Sequence, residues 1–229
     1  MRGGKSDPFR VRVSGELACF TRPEMKVERV SYEVMTPSAA RGILEAILWK
    51  PQIAWHIGAI EVLNPVRWAS FRRNEVQKVA PKSPKAGEAL IVEDERTQRN
   101  TVALRDVDYV VEAWFELTSE AGDSDPVAKY VEMFRRRLEK GQHHHAPYLG
   151  CREFAARVGP AKEETHPIDP GVARPLGWMF YDFDWPGFAG GDAPRDAVVR
   201  PLFFDARLEG GVVRVPARRE VRGAMEGQR

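Results

Sequence analysis

Three cations, Arg22, Lys26 and Arg29, fall in one short stretch between the rings of Phe20 and Tyr32. Ammonium and guanidinium groups neutralise phosphates and aromatic faces stack on bases, so these are the residue types of a single-stranded RNA contact. The same pattern also describes a solvated surface loop, and residue types alone leave both readings open. Farther on, Arg72 and Arg73 are adjacent; in a strand they face opposite sides, so at most one grips a given phosphate. Arg135, Arg136 and Arg137 follow one another in a helical segment and cover about 200° of its circumference, so at least one faces any ligand on that side. A helical Arg run of this kind is commonly plain solvated surface.

The run His143-His144-His145 does not read as a metal site. Consecutive residues of an extended chain alternate in direction, and no second cluster with ligand spacing accompanies them. A loop histidine beside RNA could still move protons at neutral pH. His56 and His166 are isolated. No phosphate-cradling glycine motif, nucleophile elbow, kinase signature or paired metal-binding carboxylate pattern is present, which argues against nucleotide hydrolysis and metal-dependent nucleases. Metal-free RNA cleavage asks for less. The substrate's own 2′-hydroxyl attacks the adjacent phosphate, and the protein need only align the strand, help remove a proton and stabilise the phosphorane charge. No cofactor is expected.

Global charge is nearly silent about partners: 35 Lys and Arg face 33 Asp and Glu, a net of +2. With 43% hydrophobic residues over 229 positions the chain can bury a sizeable core. Cys19 and Cys151 suit a reducing compartment and read as small core residues. No apolar run approaches a membrane span, and the first residues lack the apolar core of a signal peptide, so a cytoplasmic protein with no membrane partner is expected.

The elements that must position these residues show in the periodicity. Phe9, Val11 and Val13 alternate with Arg10, Arg12 and Ser14 as a half-buried strand, and Gly15 suggests a bulge before 17–20. Thr36 stands at a helix N-cap with Pro37 first inside; Ala40, Ile43, Leu44, Ile47 and Leu48 form a stripe that Pro51 ends. Ile53 to Val62 read as a second strand or hairpin. Residues 72–100 are polar and broken by prolines, an exposed excursion or an irregular hairpin. Alternation from Val107 to Leu117 gives another strand, and Asp125 with Pro126 opens a second helix striped by Val127, Val131, Phe134 and Leu138 and closed by Lys140-Gly141. Strands follow at 178–185 and 198–206, with a Gly210-Gly211 hairpin into Val213 to Val215. This order is the α+β, ferredoxin-like arrangement, with two helices on one face of an antiparallel sheet and the other face open, as in RNA-recognition modules. The expected division is a ferredoxin-like domain at 8–158 with its excursion at 72–100, a linker at 159–175, a small antiparallel β region at 176–216 and a frayed tail at 217–229.

The run Phe20-Thr21-Arg22-Pro23-Glu24-Met25-Lys26-Val27-Glu28-Arg29-Val30-Ser31-Tyr32, with Thr36-Pro37-Ser38-Ala39-Ala40-Arg41-Gly42-Ile43-Leu44-Glu45-Ala46-Ile47 and Trp49-Lys50-Pro51, closely resembles the CRISPR-associated Cas five family of subtype I-C, the d variety. That resemblance implies a ferredoxin-like RNA-binding domain with a small β-rich C-terminal part. It implies that the chain binds precursor CRISPR RNA at the repeat hairpin and 5′ handle, sits among other Cascade subunits, and cuts the precursor as a metal-independent endoribonuclease. Processing members of the family carry an aromatic residue or histidine just before Trp-Lys-Pro and a Lys-His pair at the start of the second helix. Here those positions hold Leu48 and the pair Lys129-Tyr130. By this resemblance Lys129 stabilises the phosphate charge, Tyr130 assists proton transfer, and Arg22, Lys26, Arg72, Arg73 and Arg136 hold the RNA backbone. Leu48 cannot transfer a proton, and tyrosine, whose ordinary pKa is about 10, is a poor base at neutral pH. Two other readings therefore stand beside the nuclease: a noncatalytic Cascade subunit that caps the 5′ handle, and a nonspecific module that binds duplex DNA through the same arginines.

Overall fold

The computed structural model describes residues 4–79, 91–168, 173–185 and 199–227. Its strands in chain order are β1 (Phe9–Ala18), β2 (Arg29–Val30), β3 (Ile53–Val62), β4 (Trp68–Val76), β5 (Arg96–Leu117), β6 (Arg157–Pro160), β7 (Arg174–Asp184), β8 (Arg200–Glu209) and β9 (Val212–Arg214). Its helices are α1 (Pro37–Ile47), α2 (Val127–Glu139) and α3 (Arg218–Glu226). None of the described helices is long and apolar enough to cross a membrane.

Apolar alternation puts Val11 and Val13 of β1, Trp55 of β3 and Phe115 of β5 on one face, where α1 and α2 lay their stripes. Phe134 of α2 meets Trp55 at 4.7 Å and Phe9 at 4.8 Å between ring centroids. The strand order β6-β1-β5-β3 is the ferredoxin-like order, and β9-β8-β7 continue the same hydrogen-bonded sheet from the free edge of β3. The fold is α+β and mostly antiparallel, as the periodicity indicates. Gly15, however, is no bulge: β1 keeps one register through Ser14↔Asp108, Gly15↔Val107 and Leu17↔Arg105. A Cβ there would stand 2.3 Å from Leu149 Cδ1, so glycine serves close packing. The bulge lies in β3, where register shifts between Ile57 and Ala59.

Three further elements differ from the sequence expectation. The excursion begins as regular structure, with β4 pairing residues 96–104 of β5 in a two-stranded ribbon; residues 80–90 of it lie outside the described residues. The fourth core strand, β6, includes Gly159 and Pro160 of the proline-rich stretch, which an edge strand tolerates. From there the chain crosses the sheet face opposite the helices. Arg10 donates to the Thr165 carbonyl at 3.1 Å, and the Ile168 N–H reaches the Val62 carbonyl at 2.9 Å. That face is also filled with charge pairs, Arg10 with Glu61 and Arg12 with Asp108. It is therefore not an empty platform for RNA.

The charged tail is not frayed: it forms α3, because its arginines find buried carboxylates. Asp182 of β7 accepts two hydrogen bonds from Arg41 of α1, at 2.9 and 3.0 Å, and one from Arg218 of α3 at 2.6 Å. Val221 seats α3 in the core at 3% exposure. Asp182→Ala removes the carboxylate that two poorly hydrated guanidiniums share, leaving Arg41 to Glu45 and Arg218 to Asp184, and its urea unfolding free energy is expected to fall by about 3 kcal/mol. An unchanged denaturation midpoint, or an unchanged midpoint on deleting residues 217–229, would show α3 to be ornamental.

Candidate nucleic-acid interface

At one end of β1 the chain turns into the cation-bearing loop, pinned by backbone hydrogen bonds from Arg22 to Val30 at 2.9 Å and from Tyr32 to Phe20 at 2.8 Å. Its two rings do not face solvent. Phe20 and Tyr32 are each 2% exposed. Phe20 packs edge-on against Tyr109 at 6.2 Å, and the Tyr32 hydroxyl accepts from the Phe180 N–H at 3.2 Å. Stacking by these rings is thereby corrected: they anchor the loop, and Arg22 lies over the Tyr32 face at 4.5 Å. Burial pushes the Tyr32 phenol above its ordinary pKa, against the opposing pull of the bond from the Phe180 N–H.

Arg29 and Arg73 meet here although far apart in sequence. Arg29 pairs with Glu153 at 2.9 Å and Glu75 at 3.4 Å, and Arg73 pairs with the same two carboxylates. Two cations and two anions cancel, so Arg29 and Arg73 are tied to protein acids and fix the base of the ribbon. Nε and Nη2 of Arg73 are nonetheless buried without a hydrogen bond. Arg72, next in the strand, points to the opposite side and is exposed.

That opposite side of the ribbon has a distinct composition. Trp68, Ser70, Arg72 and Asn74 share it, and across the ladder Arg72 pairs with Asn100 and Asn74 with Gln98. These positions hold no carboxylate, and Trp68 is 45% exposed. A guanidinium, amides that both donate and accept, and an open indole suit a nucleic-acid backbone and bases. The loop's Lys26 is likewise exposed, and neither Lys26 nor Arg72 has an ion-pair partner among the described residues. Sequence reasoning missed Trp68, Asn74, Gln98 and Asn100; the amide-rich, acid-poor alternation on either side of 80–90 was the available signal.

The second cluster lies on α2. The helix starts at Val127 with Pro126 as its N-cap and no side-chain cap, so Asp125 does not cap it. Instead the Asp125 carboxylate accepts from Lys129 Nζ and from the Tyr130 hydroxyl, both at 2.7 Å, and from the Gly122 N–H at 3.2 Å. Lys129 keeps 46% of its side chain in solvent, whereas Tyr130 is 2% exposed. Burial first, then the bond to Asp125 and its charge, push Tyr130 up to about 12. The bond from Lys129, then those from Tyr130 and Gly122, hold Asp125 down at about 2. Arg136 is exposed on the same side of α2 as Lys129, seven residues or about 10 Å along the axis. Leu48 is fully buried at the end of α1, and its carbonyl accepts the Trp55 indole N–H at 2.9 Å. Among the described residues no group of three His, Cys, Asp or Glu could hold a metal ion.

These two clusters do not converge. Phe9, at the start of β1, touches α2, while Cys19, just past its end, adjoins the loop; nine strand steps separate the ends, about 30 Å.

Comparison with known proteins places this geometry in context. The family model described as CRISPR-associated protein Cas_Cas5, of the Cas5d kind, matches residues 9–216. A "CRISPR pre-crRNA endoribonuclease Cas5d" from Mannheimia succiniciproducens is 44% identical over 223 residues, 91% of this chain and 94% of that protein. A protein of the same name from Thermus thermophilus is 44% identical over 218 residues, 91% of each. Among solved structures, one titled as a CRISPR-associated protein superposes with a TM-score of 0.70 at 26% identity, covering 96% of this chain and 97% of that one. A functionally uncharacterised Streptococcus mutans protein shares the fold with a TM-score of 0.69 at 24% identity over 95% and 96% of the two chains.

The Asp125 contacts predict a pH signature. Because its folded pKa is depressed to about 2, the stability it adds is present above its ordinary value near 4 and is lost as pH falls toward 2. In thermal melts wild type should exceed Asp125→Asn between about pH 5 and 7, with the gap closing from about pH 4 downward. A gap independent of pH would mean that the carboxylate charge is not what the contacts use.

Proposed function

This chain belongs to the Cas5d branch of the CRISPR-associated Cas5 family, and on that premise we propose that it binds precursor CRISPR RNA, cleaves it at the repeat hairpin without a metal ion, and stays on the 5′ handle among the other Cascade subunits in the cytoplasm. The observation that carries the catalytic part is the first turn of α2, where the solvent-facing Lys129 ammonium and the Tyr130 hydroxyl share one carboxylate. The N-terminus of α2 has no side-chain cap, so its first N–H groups add to the positive field around Lys129. A phosphorane gathering negative charge there would be stabilised in the transition state more than in the ground state.

Tyr130, held protonated up to about 12, is a hydrogen-bond donor at neutral pH and not a base. Asp125 is ionised, but its low pKa and three donors make it a weak proton acceptor. Lys129 therefore carries the electrostatic work, Asp125 orients it, and the 2′-hydroxyl proton leaves to solvent. The ribbon, through Arg72 and its amide neighbours, holds RNA at the other end of the sheet, with Lys26, Arg22 and Arg136 adding phosphate contacts and Arg29 and Arg73 fixing the ribbon's base.

With labelled repeat RNA in EDTA, wild type is expected to give a single cut whose rate rises with pH through neutrality without a bell. Lys129→Ala should lose about 100- to 1,000-fold and Tyr130→Phe about 10-fold. Binding without any cut would favour the noncatalytic cap of the 5′ handle, the reading that the buried, aliphatic Leu48 supports. Arg72→Ala should weaken repeat binding and lower the slope of log affinity against log salt by about one; an unchanged slope would remove the ribbon from the interface. Loss of repeat preference in competition with duplex DNA would mark a nonspecific DNA module.

A further inference from the structure

The two cysteines, 132 residues apart, come together where β1 runs into the loop. The Cys19 N–H donates to the Leu149 carbonyl at 3.0 Å. A Cβ on Gly150 would stand 2.1 Å from the Cys19 carbonyl oxygen, and Gly150 has φ of +82°, so only glycine lets this turn press so closely. The approach brings Cys151 Sγ to 3.6 Å from that carbonyl. The Thr21 hydroxyl lies between the two thiols, 3.5 Å from the Cys19 sulfur and 3.9 Å from the Cys151 sulfur. Arg29 Nη1 stands 3.6 Å from the Cys151 sulfur. Cys19 is fully buried, Cys151 half-buried, and no disulfide joins them.

The surroundings make the two sulfurs unequal. The bond from Cys19 lowers the Cys151 thiol to about 6, with help from Thr21 and Arg29, against burial and the charge of Glu153. The same bond, with burial, moves Cys19 upward. The half-exposed sulfur is thus the more acidic and its buried neighbour the less, an attacking group beside a resolving one.

We propose that Cys151 and Cys19 form a peroxide-reactive dithiol, Cys151 attacking and Cys19 resolving, whose oxidation ties the start of the 19–32 loop to the 149–151 turn. The Cys151 thiolate attacks one oxygen of hydrogen peroxide; an S–O bond forms, the O–O bond breaks, and the departing hydroxide takes a proton to become water. The product is a sulfenic acid. The Cys19 sulfur then attacks the Cys151 sulfur; the S–S bond forms, the S–O bond breaks, and hydroxide leaves with the Cys19 proton as a second water. Two thiols lose two electrons and one peroxide becomes two waters. Arg29, 3.6 Å from the attacking sulfur, favours its ionised form, and after oxidation it retains Glu75 and Glu153. The site is independent of the RNA-cleavage reading, since no residue of the α2 cluster takes part.

The test treats the full, reduced protein with hydrogen peroxide and maps peptides without reduction. Wild type should lose both thiols together and yield one peptide linking Cys19 to Cys151, at a rate about ten-fold or more above that of glutathione at pH 7. Cys19→Ser should stop at a sulfenic acid that dimedone traps on Cys151, and Cys151→Ser should leave Cys19 unreactive. Arg29→Ala should slow the first step. Absence of the linked peptide from wild type, a rate no faster than glutathione, or undiminished peroxide consumption in Cys151→Ser would each overturn the proposal.

Discussion

Strand β5 is the constraint on which the rest of the structure depends. Its 22 residues hydrogen-bond β1, β2, β3 and β4. An ordinary strand is about 5–6 residues long, and β5 works as two in series. The lower part, near 107–117, is paired on both edges by β1 and β3. The upper part, 96–104, makes the ribbon with β4. Between them Arg105 and Asp106 are both exposed, and Asp106 takes a left-handed φ of 53°, with its carbonyl held by the Asn64 amide at 2.8 Å. Because the chain does not break at this bend, the ribbon is positioned by the backbone that builds the core, and Arg72 and Asn100 stand on a rigid support.

The distribution of carboxylates decides which cations remain for a ligand. Net charge hides this. Glu75 and Glu153 occupy Arg29 and Arg73, Asp108 and Glu61 occupy Arg12 and Arg10, and Asp182 and Asp184 occupy Arg218 and Arg222 of α3. Several of these pairs are half-buried, where leaving one partner alone costs far more than the pair contributes. They set geometry, and the exposed Lys26, Arg72 and Arg136 that the proposed function assigns to phosphates are not among them. Arg12, pushed above its ordinary pKa first by its hydrogen bond to Asp108 and then by that residue's charge, stays charged without being available.

The parts legible in the sequence are those whose signal is local. The stripe and Pro37 of α1, the glycine after α2, and the alternation of β1 and lower β5 are each written within one turn or one strand. What could not be read depends on contacts across the chain. The arginines of α3 look like a solvated tail until β7 supplies Asp182 and Asp184. Phe20 and Tyr32 look like open rings until Tyr109 and β7 cover them. Cys19 and Cys151 each look like a small apolar residue until the turn at Gly150 brings them together. Asp125 is an intermediate case: its spacing of four and five from Lys129 and Tyr130 was visible, but the same residue before a proline also reads as a cap, and the cap reading failed because Pro126 itself takes that place.

The chemistry on α2 follows from where a polar group can be tolerated. At the end of α1, Leu48 is enclosed and its carbonyl already holds the Trp55 indole N–H. A phenol or imidazole at that point would need its own partner or bear the cost of an unsatisfied buried group. Proton transfer from that side is thus closed to this chain, and the proposed reaction runs on the first turn of α2. There the Asp125 carboxylate is saturated by donors, and the Tyr130 hydroxyl is locked to it. What remains for the proposed reaction is field: an exposed ammonium at an uncapped helix start, acting on an RNA whose nucleophile would be its own hydroxyl. Such a site accelerates cleavage by stabilising charge and by holding the strand in line, and it gives up the added factor that a neutral-pH base would contribute.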